Sequence, residues 1–147
     1  MLLPAVLVVG ALAYWVLRVS WSPLSPAGVL AHPFGELRAD GSRHHGVDLA
    51  APLGTSVLAV DDGRVEFAAW DSAGGGNVVR VRHDDGTSTH YAHLAGFTHA
   101  ALNRGPVSKG TVLGWVGMTG NTSGPHLHFA WRDARGAWVD PSSRLGV

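Results

Sequence analysis

The sequence contains no cysteine and shows no excess of charge of either sign. Without cysteine it can form no disulfide, no thiolate nucleophile and no sulfur-bound zinc site, so any metal must be bound by histidine, aspartate or glutamate. Lysine plus arginine and aspartate plus glutamate number 11 each, so no net field favours nucleic acid or an acidic lipid surface. We therefore expect no nucleic-acid partner.

A long apolar run occurs only at the amino-terminal end of the chain. Residues 2–17 carry no charged side chain, and a membrane-spanning helix needs about 20 apolar residues, so the run is at the short end of that range. A signal peptide would carry positive charge before its apolar core, and here only the α-amino group precedes it. Residues 1–20 are therefore predicted to form an uncleaved membrane anchor, with a cleaved signal peptide or a buried core helix as alternatives.

The rest of the chain divides into a linker and one folded domain. Residues 21–31 are rich in proline, serine and glycine, which is typical of a linker. Residues 32–147 fit a single domain. In residues 77–83 apolar side chains alternate with arginines, the period of a half-buried strand, and the Asp-Asp-Gly at 84–86 predicts a hairpin turn. Similar short runs recur between turn residues, so we predict a mostly β, antiparallel domain.

Histidine is unusually frequent, with nine residues, and some of the nine have the spacing of a metal site. His126 and His128 lie in a strand-like context, where residues two apart share a face about 6.5–7 Å from each other. His44 and Asp48 would likewise project to one face of an extended segment, and His45 to the other. A catalytic zinc site uses three protein ligands, nitrogen or oxygen, plus water, so a set of two histidines and one aspartate is sufficient.

These positions belong to a longer pattern. It contains His44-x-x-x-Asp48, then Tyr91-Ala-His93-Leu, then Gly124-Pro-His126-Leu-His128-Phe. This pattern resembles the lysostaphin/LytM-type family of zinc peptidoglycan endopeptidases. The resemblance extends through five further segments, which are Pro33–Gly35, His45–Pro52, Gly74–Asn77, Gly117–Gly124 and Val139–Pro141.

The resemblance implies a fold, a cofactor and a set of site residues. The fold would be a small antiparallel β-sheet domain of the lysostaphin-like (duplicated hybrid motif) type, here preceded by one apolar N-terminal helix. One Zn²⁺ ion would be bound by His44, Asp48 and His128. His93 and His126 would be the catalytic histidines, with the choice of general base between them left open.

The same resemblance implies an activity and a place in the cell. The activity is hydrolysis of peptide bonds, in cross-links or stem peptides, of bacterial peptidoglycan during wall remodelling or lysis. We expect a monomer in the extracytoplasmic cell envelope, secreted or attached to the membrane through the N-terminal apolar segment. Some wall hydrolases place a tyrosine shortly before the first histidine, where this chain has residues 37–40 (LRAD). That difference bears on substrate choice.

Two other classes of function are compatible with a β domain of this size. A catalytically silent wall-binding or amidase-regulating module would be expected to lack some of the five site residues, and none is missing here. A biotin- or lipoate-carrying domain needs a lysine on a hairpin, and the only lysine, Lys109, has no methionine beside it.

Three further expectations concern residues near the motifs. His90 is three residues before His93, so it should lie on the opposite face of the same strand. The motif glycines serve either close approach of a substrate or ordinary turn geometry, and we favour turn geometry. The tryptophans at 70, 115, 131 and 138 are expected to pack in the core or at a rim rather than to act as saccharide platforms.

Overall fold

The computed structural model describes residues 22–146. The predicted N-terminal helix and membrane anchor, residues 1–20, lie outside this range. Within the described range, the helices are all too short to cross a bilayer.

Eleven antiparallel strands and two one-turn helices make up the described chain. The elements are β1 (Leu24–Ser25), β2 (Val29–His32), β3 (Val47–Ala50), β4 (Ser56–Leu58), β5 (Gly63–Asp71), β6 (Gly76–Arg82), β7 (Ser88–Phe97), α1 (His99–Leu102), β8 (Pro106–Val107), β9 (Val112–Val116), β10 (His126–Arg132), β11 (Trp138–Val139) and α2 (Ser142–Leu145). The main path through the sheet runs β1-β4-β9-β7-β10-β3-β2, with β11 beside β10 and with β6, β5 and β8 extending from β7. This confirms the predicted mostly β, antiparallel fold.

The β6–β7 hairpin forms where the alternation and the turn signal predict it. Val79 and Val81 on β6 are fully buried, whereas Arg82 is exposed and Arg80 is half-buried. The turn between the strands is closed by a hydrogen bond from the backbone N–H of residue 83 to the carbonyl of residue 87 (2.9 Å).

Strand β10 separates the core from the site. Leu127, Phe129 and Trp131 are at most 1% exposed and face the core, where Phe129 contacts the rings of its neighbours edge-to-face at 5.3 Å (Tyr91) and 6.3 Å (Trp131). The intervening residues face the other side of the sheet, because successive side chains of a strand point to opposite faces. The apolar side of β10 thus fixes the position of the side that carries His128.

Strand β1 and most of β2 fall within residues 21–31, the predicted linker. Leu24 is 2% exposed and pairs with Val57 of β4, and Val29 pairs with Ala50 of β3. Both are edge strands, and Pro23 and Pro26 flank β1, where a missing N–H need not be paired. The apolar residues between the prolines therefore join the sheet, although the composition of the segment is that of a linker.

Candidate active site

Three side chains direct one donor atom each to a common point beside β3 and β10. The Nε2 of His44 and the Nδ1 of His128 are 2.9 Å apart, and they lie 3.1 Å and 2.8 Å, respectively, from Oδ1 of Asp48. His44 and Asp48 are buried, and His128 is half-buried. The structure therefore brings together the three residues that were predicted as metal ligands.

Strand pairing explains this convergence. Asp48 lies directly opposite His128 across β3 and β10, and opposed residues of an antiparallel pair have Cβ atoms about 4.5–5.5 Å apart. His44 precedes β3, beyond a bend that includes Gly46. A Cβ atom on Gly46 would lie 2.4 Å from the carbonyl oxygen of Phe129, so the bend can approach β10 this closely only with glycine. It is this bend, rather than a fully extended segment, that brings His44 to Asp48.

The chemistry of these three residues fits a bound cation. The Nδ1 of His44 lies 3.0 Å from the carbonyl oxygen of Pro33, which can only accept, so in the neutral ring Nδ1 carries the proton and Nε2 presents a lone pair. That lone pair faces Oδ1 of Asp48 at 3.1 Å and Nδ1 of His128 at 2.9 Å. Two electron-rich atoms, of His44 and Asp48, thus face each other, and a cation bound between them would remove their repulsion. Tetrahedral zinc with bonds of about 2.0–2.2 Å needs ligand atoms about 3.3–3.6 Å apart. The observed spacing is a few tenths of an ångström shorter, so small side-chain movements are sufficient.

Asp48 is held in its ionised form. Burial acts to raise the pKa of Asp48, but that pKa lies well below its usual range, and the largest cause that lowers it is the hydrogen bond from Nδ1 of His128. Its second oxygen, Oδ2, lies 3.5 Å from Nη2 of Arg38. A carboxylate must be deprotonated to bind metal, and this one is deprotonated at any neutral pH.

Two further imidazoles face the same point, and they belong to the predicted catalytic residues His93 and His126. Their ring centroids are 4.7 Å apart, and Nε2 of His126 is 3.7 Å from Oδ1 of Asp48. The Nδ1 atoms donate to backbone carbonyls, that of His93 to Thr119 and that of His126 to Gly124, each at 2.8 Å. Burial lowers the pKa of His93. Because a carbonyl only accepts, Nε2 of each neutral ring is the atom that can take up a proton.

The backbone of His93 adopts an unusual conformation. Its φ of 62° is left-handed, which non-glycine residues seldom adopt. Strand β7 pairs with β10 as far as Ala92 and with β9 from Leu94, so His93 lies where the strand changes partners. Its N–H donates to the carbonyl of Gly75 (2.8 Å). The expectation that His90 and His93 lie on opposite faces is wrong, because the alternation breaks at His93 and both residues line one groove.

Two motif glycines hold the loops that support His93. The loop after β5 leads into Gly76, the first residue of β6, and there it touches Gly120 of the loop after β9. The φ angles of the two glycines are 66° and 77°. A Cβ atom on Gly120 would lie 2.4 Å from the carbonyl oxygen of Gly74, and one on Gly76 would lie 2.4 Å from the carbonyl carbon of Thr119. At these two positions glycine allows one backbone to pack against another, and this contact places Thr119 beside His93.

A groove of about 690 Å³ leads away from the site, along β10 and towards β11. Trp138 lines its far end, half-buried, with its ring stacked on His45 at 5.6 Å. A second depression on the other side of the site is lined by His126 and by residues 121–125, and Arg38 lines both. The site therefore lies between two open depressions that share Arg38.

Several groups that orient the site residues were not identified from the sequence. They are backbone carbonyls, of Pro33, Thr119 and Gly124, and the guanidinium of Arg38. A carbonyl is present at every position of a chain, so the sequence contains no signal for its role. Arg38 lies in the segment noted only for lacking a tyrosine, and a single arginine in a polar loop is usually solvated.

Comparisons with known proteins find relatives in sequence and in fold. The DD-carboxypeptidase/endopeptidase Mpg of Neisseria meningitidis serogroup B is 43% identical over 119 residues, which are 81% of this chain and 26% of the relative. The solved catalytic domain of the antimicrobial peptidase lysostaphin from Staphylococcus simulans is 29% identical, with a TM-score of 0.73 over 82% of this chain and 93% of that one. A zinc-containing peptidase from Vibrio cholerae is 29% identical, with a TM-score of 0.67 over 79% of this chain and 35% of that one.

The chain spans about a quarter of the length of the curated relatives that it matches most extensively. The family model described as "Peptidase family M23" matches residues 42–141, a range that includes all five predicted site residues. On this match, together with the lysostaphin-like fold, the chain belongs to peptidase family M23.

Proposed function

We propose that the chain is a zinc-dependent endopeptidase that hydrolyses peptide bonds, in cross-links or stem peptides, of bacterial peptidoglycan. The observation that carries this proposal is the convergence of the donor atoms of His44, Asp48 and His128 to within 3.1 Å, beside two imidazoles with Nε2 available. The names of similar proteins support the substrate, since they include a DD-carboxypeptidase/endopeptidase, a glycyl-glycine endopeptidase and a peptidoglycan DD-endopeptidase. Peptidoglycan lies outside the cytoplasmic membrane, so we place the activity there.

The proposed ligands are His44, Asp48 and His128. Zinc bound by them would supply a Lewis acid that polarises the scissile carbonyl and makes water a stronger acid. The chain orients these ligands through the hydrogen bond between His44 and Pro33 and through the contact between Asp48 and Arg38. Such outer contacts fix ligand orientation and typically contribute about 10- to 100-fold in metal affinity.

The two remaining histidines handle protons. In peptide hydrolysis the oxygen of water bonds to the carbonyl carbon, the C–N bond breaks, and a proton of that water passes to the departing amine. The Nε2 of His93 or His126 accepts the proton first, since in both rings Nδ1 is committed to a carbonyl. The other imidazole lies only 4.7 Å away between centroids. When its own Nε2 also carries a proton, it can donate a hydrogen bond to the oxygen that gains charge.

Digestion of purified peptidoglycan by the full chain tests this function. The wall is incubated with protein of measured zinc content, with and without a zinc chelator, and the released muropeptides are analysed by mass spectrometry. We expect cleavage of peptide bonds that the chelator abolishes and added zinc restores. The masses of the products identify the bond.

Variants separate the site from the rest of the surface. His128→Ala should lose both zinc and cleavage, whereas His93→Ala should lose cleavage and keep most of its zinc. His99→Ala is the matched control, because His99 is exposed and lines neither depression of the site. A zinc-loaded chain that releases nothing from several types of wall would refute the proposal and favour a silent wall-binding module.

A further inference from the structure

The half of the groove that extends beyond His128 has a floor built by the sheet. His128, Ala130 and Arg132 follow one another along one face of β10 and all line the groove. Ala130 lies opposite His90 of β7, and Arg132 lies opposite Trp138 of β11. A strand rises about 3.3 Å per residue, so the Cα atoms of Arg132 and His128 are about 13 Å apart. An extended peptide lying along this floor reaches Arg132 within about four residues of the proposed metal site.

Arginines dominate the charge of the groove. Arg38, Arg43, Arg80 and Arg132 line it, and Asp71 is the one carboxylate among its described lining residues. Asp71 is engaged by its own turn, since its oxygens accept hydrogen bonds from the backbone N–H groups of residues 73 and 75 (3.1 and 3.3 Å). The groove therefore carries a net positive charge.

The partners of two of these arginines leave donor groups available. Arg80 lies 3.3 Å from Glu66, but Arg82 lies at the same distance from the same carboxylate, so two guanidinium groups share one negative charge. The guanidinium carbon of Arg132 lies 4.0 Å from the ring centroid of Trp138. Stacking occupies the face of a guanidinium and leaves the N–H groups on its edge free to bind an anion. The buried Nε of Arg132 has no hydrogen-bond partner within residues 22–146.

His90 lies on the floor of the groove, between Arg80 of β6 and Ala130 of β10. Burial is the main cause that lowers the pKa of His90 to about 3, and the charges of Arg80 and Arg132 lower it further. The imidazole is therefore neutral at physiological pH and does not add to the positive charge. It packs edge-on against Trp138, with ring centroids 4.9 Å apart.

We propose that this end of the groove binds a carboxylate of the substrate peptide, within about four residues of the scissile bond, through Arg132 and Arg80. The proposal rests on the proposed function and narrows it. A peptide that carries a free carboxylate near the cleaved bond is favoured, and an uncharged glycine bridge gains nothing from these arginines. The carboxylate belongs either to a chain end or to an acidic residue of the peptide, and both present the same planar anion to a guanidinium.

A pair of matched substrates tests this inference. One is a cross-linked peptide isolated from purified wall with its carboxylates free, and the other is the same peptide amidated by carbodiimide coupling with ammonia. We expect kcat/KM to be about tenfold higher for the acid, the low end for a hydrogen bond to a charged group in an open groove. The preference should weaken from 0.05 to 0.5 M salt, because ions screen exposed charges. Synthetic mono-amides, blocked at the chain end or at the acidic residue, identify which carboxylate the arginines bind.

Variants assign the preference to the groove. Arg132→Gln should bring the ratio of acid to amide close to one, and Arg80→Gln should do so in part, which also covers the case that Arg132→Gln fails to fold. Arg135→Gln removes the same charge from an exposed turn outside the groove and should keep the full preference. A wild-type ratio within twofold of one, or an unchanged ratio in both groove variants, would overturn the inference.

Binding distinguishes failure of this inference from failure of the proposed function. Both peptides are titrated into the full chain by calorimetry. If neither peptide is cleaved but the acid binds about tenfold more tightly than the amide, the carboxylate site stands and the endopeptidase function does not. If both peptides are cleaved but the acid and the amide bind with equal affinity, the endopeptidase function stands and the carboxylate site does not.

Discussion

Replacement of Gly120 by alanine should lower both the stability of the domain and its rate of catalysis. The backbone geometry at Gly120 gives the size of the loss in stability. Gly120 has a φ of 77°, which costs an L-residue about 1–2 kcal/mol. Its added Cβ would also lie 2.4 Å from the carbonyl oxygen of Gly74 and 2.5 Å from the nitrogen of Gly76. These are backbone atoms that cannot rotate away, and forced overpacking typically costs about 1–3 kcal/mol more. We expect Gly120→Ala to lower the free energy of unfolding by about 2–5 kcal/mol.

Gly136→Ala is the matched control for this substitution. Gly136 has a φ of 85°, and a Cβ atom added there would meet no other atom within 4 Å. In Gly136→Ala the free energy of unfolding should therefore fall only by the cost of the positive φ, about 1–2 kcal/mol. Urea unfolding of the two variants and the wild type, with the m-value checked for constancy, gives the difference between them directly.

Catalysis supplies the second readout. The carbonyl of Thr119, immediately before Gly120, holds Nδ1 of His93. A shift of the loop should misplace that imidazole in the molecules that remain folded, and a displacement of about 1 Å can reduce kcat/KM about 100-fold. If Gly120→Ala is no less stable than Gly136→Ala and cleaves peptidoglycan at the wild-type rate, the loop contact neither stabilises the domain nor positions His93.

Three further substitutions test other parts of the structure. Asp48→Asn should weaken zinc binding by more than about tenfold, measured by competition with a chromogenic chelator, since it removes the charge of a ligand without changing its shape. Tyr91→Phe should lower the free energy of unfolding by about 1–3 kcal/mol, measured in urea, because the fully buried hydroxyl accepts the N–H of Val60 (3.1 Å) and its loss leaves that donor unpaired. The pKa of His90 is about 3 in the folded state and near 6.5 in the unfolded chain, so between these pH values protons bind the unfolded chain preferentially. The free energy of unfolding of the wild type should therefore fall, relative to that of His90→Phe, as the pH is lowered from about 6.5 towards 3.

Each of these predictions has an outcome that would contradict it. Undiminished zinc affinity in Asp48→Asn would remove the carboxylate from the ligand set. An unchanged free energy of unfolding in Tyr91→Phe would mean that water reaches the N–H of Val60. Parallel stability curves for the wild type and His90→Phe between pH 6.5 and 4 would show that His90 is solvated, and would remove the support that its environment gives to the basic groove.

The strands that carry the site were predictable because their signal is local. In residues 126–132 the side chains alternate between the core and the site, and the sequence shows this as an apolar pattern with a period of two. The same holds for residues 77–83 and the turn that follows them. The proximity of His44 and Asp48 also followed from spacing, although the bend at Gly46 was not foreseen. That His128, 80 positions after Asp48, would join these two residues was predicted only from the resemblance to the family pattern.

The parts that escaped prediction depend on contacts between distant segments. The left-handed conformation of His93 is stabilised by the carbonyl of Gly75, and no propensity of histidine indicates it. The strands within residues 21–31 form because Leu24 finds a place in a core that other strands create. The basic groove likewise arises from arginines on different strands, Arg80 and Arg132, that register rather than sequence brings to one face.

The position of the site follows from a divergence of strands. Strand β7 follows β10 only as far as Ala92, opposite His128, and then turns at His93 to follow β9. The start of β10 instead forms a bridge from His126 to Gly117, beyond the end of β9. Beyond Ala92 no ladder joins β7 to β10, and the imidazoles of His93 and His126 lie side by side at this opening, with ring centroids 4.7 Å apart. The unfavourable φ of His93 is thus the local cost of opening the sheet at the point where the proposed chemistry needs room.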